Sequence, residues 1–195
     1  MPGSSLRWLR DPRGPRLERP LERPTLTTDR LTLRPHRLDD AEQWFGIQSD
    51  PVVTRYMHWP ERDRPASWRH LRDRTRHTRL SRVDDFLALA VDLDGMLIGD
   101  VSLRLKSVQR TTRNVEVSGM LHPRYEGNGY ASEATMALLA LAFEDLRARW
   151  ATALIDVRNT RSIALAERLG MQRFPLDDTT VAYLDSPLTH AARRR

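Results

Sequence analysis

The spacing of apolar and polar residues changes several times along the chain, and each change predicts an element. Leu31 and Leu33 alternate with polar neighbours up to Pro35, which predicts a first strand. Asp39 and Asp40 then precede Trp44, Phe45 and Ile47, the pattern of a capped helix with one buried face, and Ser49-Asp50-Pro51 ends it. Residues 52–57 predict a further helical turn, and Pro60 and Pro65 bracket a loop. Residues 66–80 predict a helix with Trp68, Leu71 and Thr75 facing inward and Arg69, Arg72, Arg76 and Arg79 on another stripe. Strands over 86–93 and 96–105 are joined at Asp94-Gly95, a favoured hairpin turn.

The most informative stretch is 115–132. Val115 and Val117 alternate with Glu116 and Ser118 as in a strand, and Gly119 points to a bulge or a close backbone approach. A six-residue loop follows, Arg124-Tyr125-Glu126-Gly127-Asn128-Gly129, and then residues 131–146 are apolar nearly all round, as in a buried helix. A strand over 150–157 comes next, and a strand–helix–strand crossover requires parallel pairing with the strand before it. A closing helix runs from Asn159 or Thr160 to Gly170, and short strands are expected at 171–174 and 181–184.

Two glycines in that loop let backbone N–H groups converge, and the following helix aims its positive end at the same point, which predicts a cradle for a phosphate or pyrophosphate. A Walker loop needs Gly-Lys-Ser/Thr, and the only lysine in the chain, Lys106, lies elsewhere. A dinucleotide fingerprint needs Gly-x-Gly-x-x-Gly, but Ser132 stands at the third glycine, and Asp156 comes too late to serve a ribose. The remaining pattern, Arg/Gln-x-x-Gly-x-Gly/Ala directly after a strand, is met by Arg124 to Gly129.

With that loop the chain resembles the GNAT family of acyl-CoA-dependent N-acyltransferases, in particular its RimJ/RimL-like branch. Further matches are Thr28-Asp29-Arg30-Leu31-Thr32-Leu33-Arg34, His122-Pro123, Tyr130-Ala131-Ser132-Glu133-Ala134, and Asn159-Thr160-Arg161-Ser162 through Leu169-Gly170-Met171. Together they cover residues 25–174. The resemblance implies an α/β fold, a mixed, mostly antiparallel sheet with helices on both faces. It implies transfer of an acetyl group from acetyl-CoA to a primary amine, a protein N-terminus or a small molecule, by direct attack. The backbone of Met120, Leu121 and His122 would pair with pantetheine, and a bulge at Gly119 would open the slot for it. Arg124, Glu126, Gly127, Asn128, Gly129, Tyr130, Ala131 and Ser132 would line the pyrophosphate site, with N–H groups from Glu126 to Ala131 as donors. Asn159 would cap the closing helix and touch pantetheine. One departure is the short end of the chain, where Pro175-Leu176-Asp177-Asp178 leads to only a brief strand.

Glu116 is the candidate base, because an acidic residue at this position faces the acceptor in many members of that branch; a solvated face or an ion pair is the competing reading. Ser162 is the candidate donor to the leaving thiolate, against a purely local bond in the first helical turn. His122 is a weaker rival base, and Tyr125 and Tyr130 read as packing around the loop. No residues have the spacing of a metal site.

Composition narrows the class. Of 195 residues, 39% are hydrophobic and 30% charged, which fits one soluble domain with a sizeable core. The absence of cysteine excludes disulfide and thiolate chemistry and makes a reducing cytoplasm the default compartment. The net charge of +6 is uneven. Six arginines in residues 1–25 stand against Asp11, Glu18 and Glu22, three more end the chain, and residues 55–82 hold nine against Glu61, Asp63 and Asp73. The rest is acidic, which argues against a general nucleic-acid binder and for one basic wall. Residues 1–25 read as a flexible, Pro/Arg-rich extension, 26–188 as one acyltransferase domain and 189–195 as a basic tail, both ends dispensable for folding. The expected partners are acetyl-CoA and an amine, with no membrane, in a monomer or homodimer. The readings set against this are a silent CoA-binding module, a ribosome- or RNA-associated protein, and an enzyme using another acyl-CoA such as succinyl-CoA.

Overall fold

The computed structural model describes residues 14–22, 24–57 and 59–193. Ten strands and six α-helices follow one another: β1 (Arg16–Glu22), β2 (Leu26–Thr27), β3 (Thr32–Pro35), α1 (Ala41–Gln48), α2 (Pro51–Thr54), α3 (Arg64–Arg74), β4 (Arg79–Arg82), β5 (Phe86–Leu93), β6 (Met96–Ser107), β7 (Asn114–Leu121), α4 (Tyr130–Ala140), β8 (Trp150–Asp156), α5 (Thr160–Arg168), β9 (Gln172–Pro175), β10 (Thr180–Asp185) and α6 (Pro187–Arg193). Eight strands form one sheet in the order β2-β3-β5-β6-β7-β8-β10-β9, while β1 and β4 pair separately. Among the described residues only β7 and β8 are parallel, as their helical crossover requires.

Period-2 alternation in β7 sends Val115 and Val117 to one face, where they join Ala134 and Leu138 of α4 in the main core. Helix α5 covers the same face further on, closing over Ile155, Val181 and Tyr183. Trp44 and Ile47 of α1 and Leu71 of α3 pack on the opposite face against Ala90, with Met120 beside them. Helices therefore lie on both faces, and α4 runs on through a π-helical turn over Leu141–Asp145. Asp94 and Gly95 both adopt positive φ, 51° and 88°, as the β5–β6 hairpin turn demands.

Several expectations need correcting. Helix α3 starts at Arg64, with Asp63 as its cap and Pro65 in its first turn, and stops at Arg74. Thr75 Oγ1 bonds back to the Arg72 carbonyl, and the chain then turns so that Leu80 enters β4 opposite Leu21. Leu71 is buried as expected, but Trp68 is exposed, and Ser67 and Arg74 complete the buried side. The Arg69, Arg72, Arg76 and Arg79 side chains are exposed. The β6–β7 register runs unbroken through Gly119, so there is no bulge; a Cβ there would come within 3.0 Å of the Asp100 carbonyl, which makes Gly119 a close-approach glycine. Register shifts lie elsewhere, at Leu105/Ser107 of the β6–β7 ladder and at Val91/Asp92 between β5 and β6.

Residues 16–22 of the expected flexible extension are strand β1; residues 1–13 lie outside the described residues. Leu17 is buried in the main core, and Glu18 accepts from buried Arg113 and from Arg110. The expected tail at 189 falls inside α6, whose His190 is buried beside Phe143, while residues 194–195 lie outside the described residues. A chain beginning at Thr25 should thus be less stable by about 2 kcal/mol, the worth of one buried leucine. Urea unfolding of the two chains checks this, and equal midpoints would return β1 to the status of a dispensable extension.

Candidate active site

Strand β7 decides the geometry of the cleft. It pairs with β8 only at Asn114, Val115 and Glu116, whose partner is Thr152, and beyond that point the two strands part. Successive residues of a strand turn their N–H and C=O groups to opposite edges. The His122 N–H donates to the Ile98 carbonyl, on the β6 side, so Met120 also faces β6 while Gly119 and Leu121 face the open edge. Pairing of a ligand with the His122 backbone N–H, expected from the resemblance, is therefore excluded by a bond already made. Leu121 keeps that capacity, and Gly119 gains it.

The slot runs into the loop after β7. Gly127 and Gly129 sit at φ 79° and 81°, the left-handed region that glycine enters without strain, and Gly129 is the residue before the first turn of α4. At a helix start the first N–H groups have no intrahelical acceptor, so those of Tyr130 and Ala131 point out toward the loop. The Glu126 N–H does not belong with them, because it donates to the Pro123 carbonyl. Ser132 Oγ is buried and has no partner among the described residues. That orphaned hydroxyl beside free helix-start donors fits a pyrophosphate. Asn128 spends its side-chain amide on the Tyr125 and Glu126 carbonyls, which holds the loop closed on itself.

Arg30 and Glu133 hold the loop from outside, and only the resemblance had touched either residue. Arg30 Nη1 donates to the Asn128 carbonyl at 2.9 Å, its guanidinium lies over the Tyr130 ring, and its Nε reaches Glu133 at 2.8 Å. Glu133 also accepts from Thr28 Oγ1 at 2.5 Å. Burial would raise the Glu133 carboxyl, but the Thr28 and Arg30 donors outweigh it and hold the group below its ordinary range. Across the cleft Arg161 of α5 pairs with Glu126 at 2.7 Å.

A cleft of about 1570 Å³ gathers Glu116, Met120, Leu121, Glu126, Gly127, Gly129, Tyr130, Ala131, Ser132, Asn159 and Ser162. His122, Arg124 and Asn128 do not line it. His122 Nδ1 accepts from the Arg124 N–H, which ties the ring to its own turn. Asn159 Oδ1 caps α5 by accepting from the Ser162 N–H at 3.2 Å, and the Ser162 hydroxyl has no partner among the described residues. Glu116 stands opposite Arg104 in the β6–β7 ladder, and its carboxylate lies 3.8 Å from Lys106 Nζ.

On the same face as Glu116, beneath α1 and α3, lies a polar cluster that no motif had marked. Asp100 is 1% exposed and lies 2.7 Å from His36 Nε2 and 3.6 Å from Arg74 Nη2. Arg74 stacks over both Trp44 and Phe86, and Arg104 stacks over Phe86 as well. His70 is pushed down to about 4, by burial first and then by the charges of Arg74 and Arg62, so its ring is neutral at pH 7. Among the described residues no group of His, Asp or Glu is placed to hold a metal ion, and no helix is long and apolar enough to cross a membrane.

A parallel strand pair that opens into a slot ending at a left-handed double-glycine loop and a helix start has the arrangement a coenzyme A-dependent acyltransferase needs. The family model described as an acetyltransferase (GNAT) domain matches residues 30–172, and the chain belongs to the GNAT acetyltransferases. It is similar to the uncharacterized protein YkkB of Bacillus subtilis (strain 168), at 31% identity over 75% of this chain and 84% of that one. An uncharacterized N-acetyltransferase, p20, of Bacillus licheniformis is 28% identical over 76% of this chain and 83% of its own. Mycobacterium smegmatis RimJ in complex with CoA-disulfide has the same fold, with a TM-score of 0.68, 18% identity, and coverage of 90% of this chain and 97% of that one. The protein is an acyl-CoA-dependent N-acetyltransferase that takes acetyl-CoA as co-substrate.

Proposed function

We propose that this enzyme is a RimJ/RimL-like transferase that acetylates a primary amine, on a protein N-terminus or a small molecule, by direct attack on the thioester, with Glu116 receiving the amine's proton. The observation that supports this most is the placement of Glu116 at the last paired residue before β7 and β8 separate, where the slot begins. Acetyl-CoA lies along the open edge of β7, its pyrophosphate on the N–H groups at the start of α4 and the Ser132 hydroxyl. The neutral amine attacks the acetyl carbonyl, the C–N bond forms and the C–S bond breaks. The nitrogen's proton passes to Glu116, directly or through water, and the Ser162 hydroxyl donates to the departing thiolate.

The acceptor amine is one of modest basicity. At pH 7 an α-amino group of pKa about 7.7–8.0 is roughly a tenth neutral, whereas a lysine-like amine near 10.4 is neutral only about once in 2,500 molecules. A single carboxylate base contributes about 10²–10⁴ in rate, which covers the first deficit better than the second. Glu116→Gln should leave CoA affinity intact and lower turnover at least about tenfold, with activity returning as the amine itself deprotonates at higher pH. Wild-type turnover by this variant from about pH 6 to 9 would remove Glu116 from the mechanism, leaving its carboxylate as the ion-pair partner of Lys106.

A further inference from the structure

The wall above Glu116 holds more buried donors than it can satisfy. Arg74 is 5% exposed, yet its Nε and Nη1 have no partner among the described residues. Its one contact with an acid among them is the 3.6 Å approach to Asp100, whose other oxygen is held at 2.7 Å by His36. Trp59 Nε1, and His70 Nδ1, a donor in one tautomer of the ring, are also buried without partners among the described residues, and both residues line the same cleft. Neither Arg62 nor Arg104 has an ion-pair partner among the described residues; Arg62 donates to the Gln48 side chain and stacks on Trp59, and Arg104 stacks on Phe86. A buried guanidinium with two idle donors costs free energy in isolation, and a second and third cation beside it raise that cost. Arg62 is held below its ordinary value, by burial first and by the charge of Arg74 second, which marks the same local excess of positive charge. An oxyanion entering the cleft would remove each of these penalties at once.

One of the three guanidinium groups adjoins the proposed base, and the other two follow from it, Arg74 across Phe86 and Arg62 close enough to feel the charge of Arg74. Phe86 carries Arg74 on its ring at 4.9 Å and Arg104 at 5.1 Å, and Arg104 is the cross-strand neighbour of Glu116. All three line the same cleft as Glu116, so a molecule whose amine meets Glu116 can place its other end at these arginines. Building on the transferase reading, we propose that the acceptor amine carries an oxyanion, a carboxylate or a phosphate, and that Arg74, Arg104 and Arg62 bind it. The arginines thus select the substrate, while Glu116 handles its proton.

The test pairs acceptors with the same amine: the amides of aspartate and asparagine for a carboxylate, and of phosphoserine and serine for a phosphate. At least one charged member should exceed its neutral partner by about tenfold or more in kcat/KM, the share that a charge-assisted hydrogen bond supplies. Which pair separates more tells carboxylate from phosphate. Arg104→Met and Arg62→Gln should each bring the ratio down toward one. Equal use of charged and neutral partners by the wild type would overturn the proposal while leaving N-acetyl transfer standing. So would a preference for succinyl-CoA over acetyl-CoA with no preference among acceptors, since the oxyanion would then belong to the donor. A second measurement does not depend on turnover: calorimetry of the CoA-saturated protein with inorganic phosphate, the pyrophosphate cradle being already filled. Saturable binding that Arg104→Met weakens at least about fivefold supports the site, and no binding, or binding that the variant leaves unchanged, overturns it.

Discussion

Replacing Asp100 with Asn should destabilise the protein by about 3–5 kcal/mol, the usual penalty for breaking a buried ion pair from one side. Asp100 is 1% exposed and supplies the negative charge beneath Arg74 and His36. Asparagine has the same shape, so the loss isolates charge rather than packing. The sign of the pH dependence follows from the carboxyl itself. Burial would raise it, but Arg74 and the His36 hydrogen bond outweigh burial and hold it below its ordinary value in the folded chain. Its contribution is therefore fully present above the ordinary aspartate value near 3.9, and is lost as pH falls through the lower folded value. His70 adds a second loss in acid. Held at about 4 in the fold, it takes up a proton more readily unfolded, so stability falls as pH drops from its ordinary value of 6.5 to about 4. Denaturant midpoints measured across this range should slope downward into acid for the wild type, and Asp100→Asn should flatten the most acidic part. A variant within about 1 kcal/mol of wild type at pH 7 would show that Arg74 finds another counter-charge.

Gly127→Asp should weaken CoA binding at least about a hundredfold, because a carboxylate about 4 Å from a phosphate costs about 4 kcal/mol at the dielectric of a protein surface. A Cβ at Gly127 meets nothing within 4 Å, so the substitution fits sterically, and aspartate tolerates the positive φ of 79° better than most residues. Gly127→Asn carries the same backbone strain without the charge and should cost only a few-fold. Calorimetry with CoA on both folded variants separates the two effects. Equal affinities for the Asp and Asn variants would mean that the pyrophosphate does not lie on this loop. Gly129 is the poorer choice, since a Cβ there comes within 3.4 Å of Arg30 Nη2, which would neutralise an introduced carboxylate.

Much of the architecture is local and could be read in order. The Asp94-Gly95 turn, the Asn159 cap, the left-handed Gly170 that ends α5 and the double-glycine loop are each set by a few adjacent residues with special backbone needs. Alternation and helical period then separate β7 from α4, because a strand half buried on each side and a buried helix space their apolar residues differently. The crossover between β7 and β8 makes their pairing parallel, which chain order alone requires, whereas the end of that pairing at Glu116 is visible only in the register of the folded strands.

Chain order could not decide what faces that glutamate. Strands β1 and β4 are rich in arginine and show little alternation, and they exist because Leu17, Leu21 and Leu80 find shelter only in the assembled core. In helix α3 every arginine looks equivalent by charge and spacing, yet Arg69 and Arg72 are exposed while Arg74 is buried over Trp44 and Phe86. Its counter-charge, Asp100, comes from a strand 26 residues away, and the arginines that join it come from a loop and from β6. The sequence by itself determined the family and the co-substrate, and with them the double-glycine loop before α4, whose left-handed backbone a short motif encodes. Charge counting pointed to one basic wall in residues 55–82, but which of its arginines join Arg104 above Glu116 was decided only by tertiary structure, because burial and the pairing of charges depend on distances between segments that no local pattern carries.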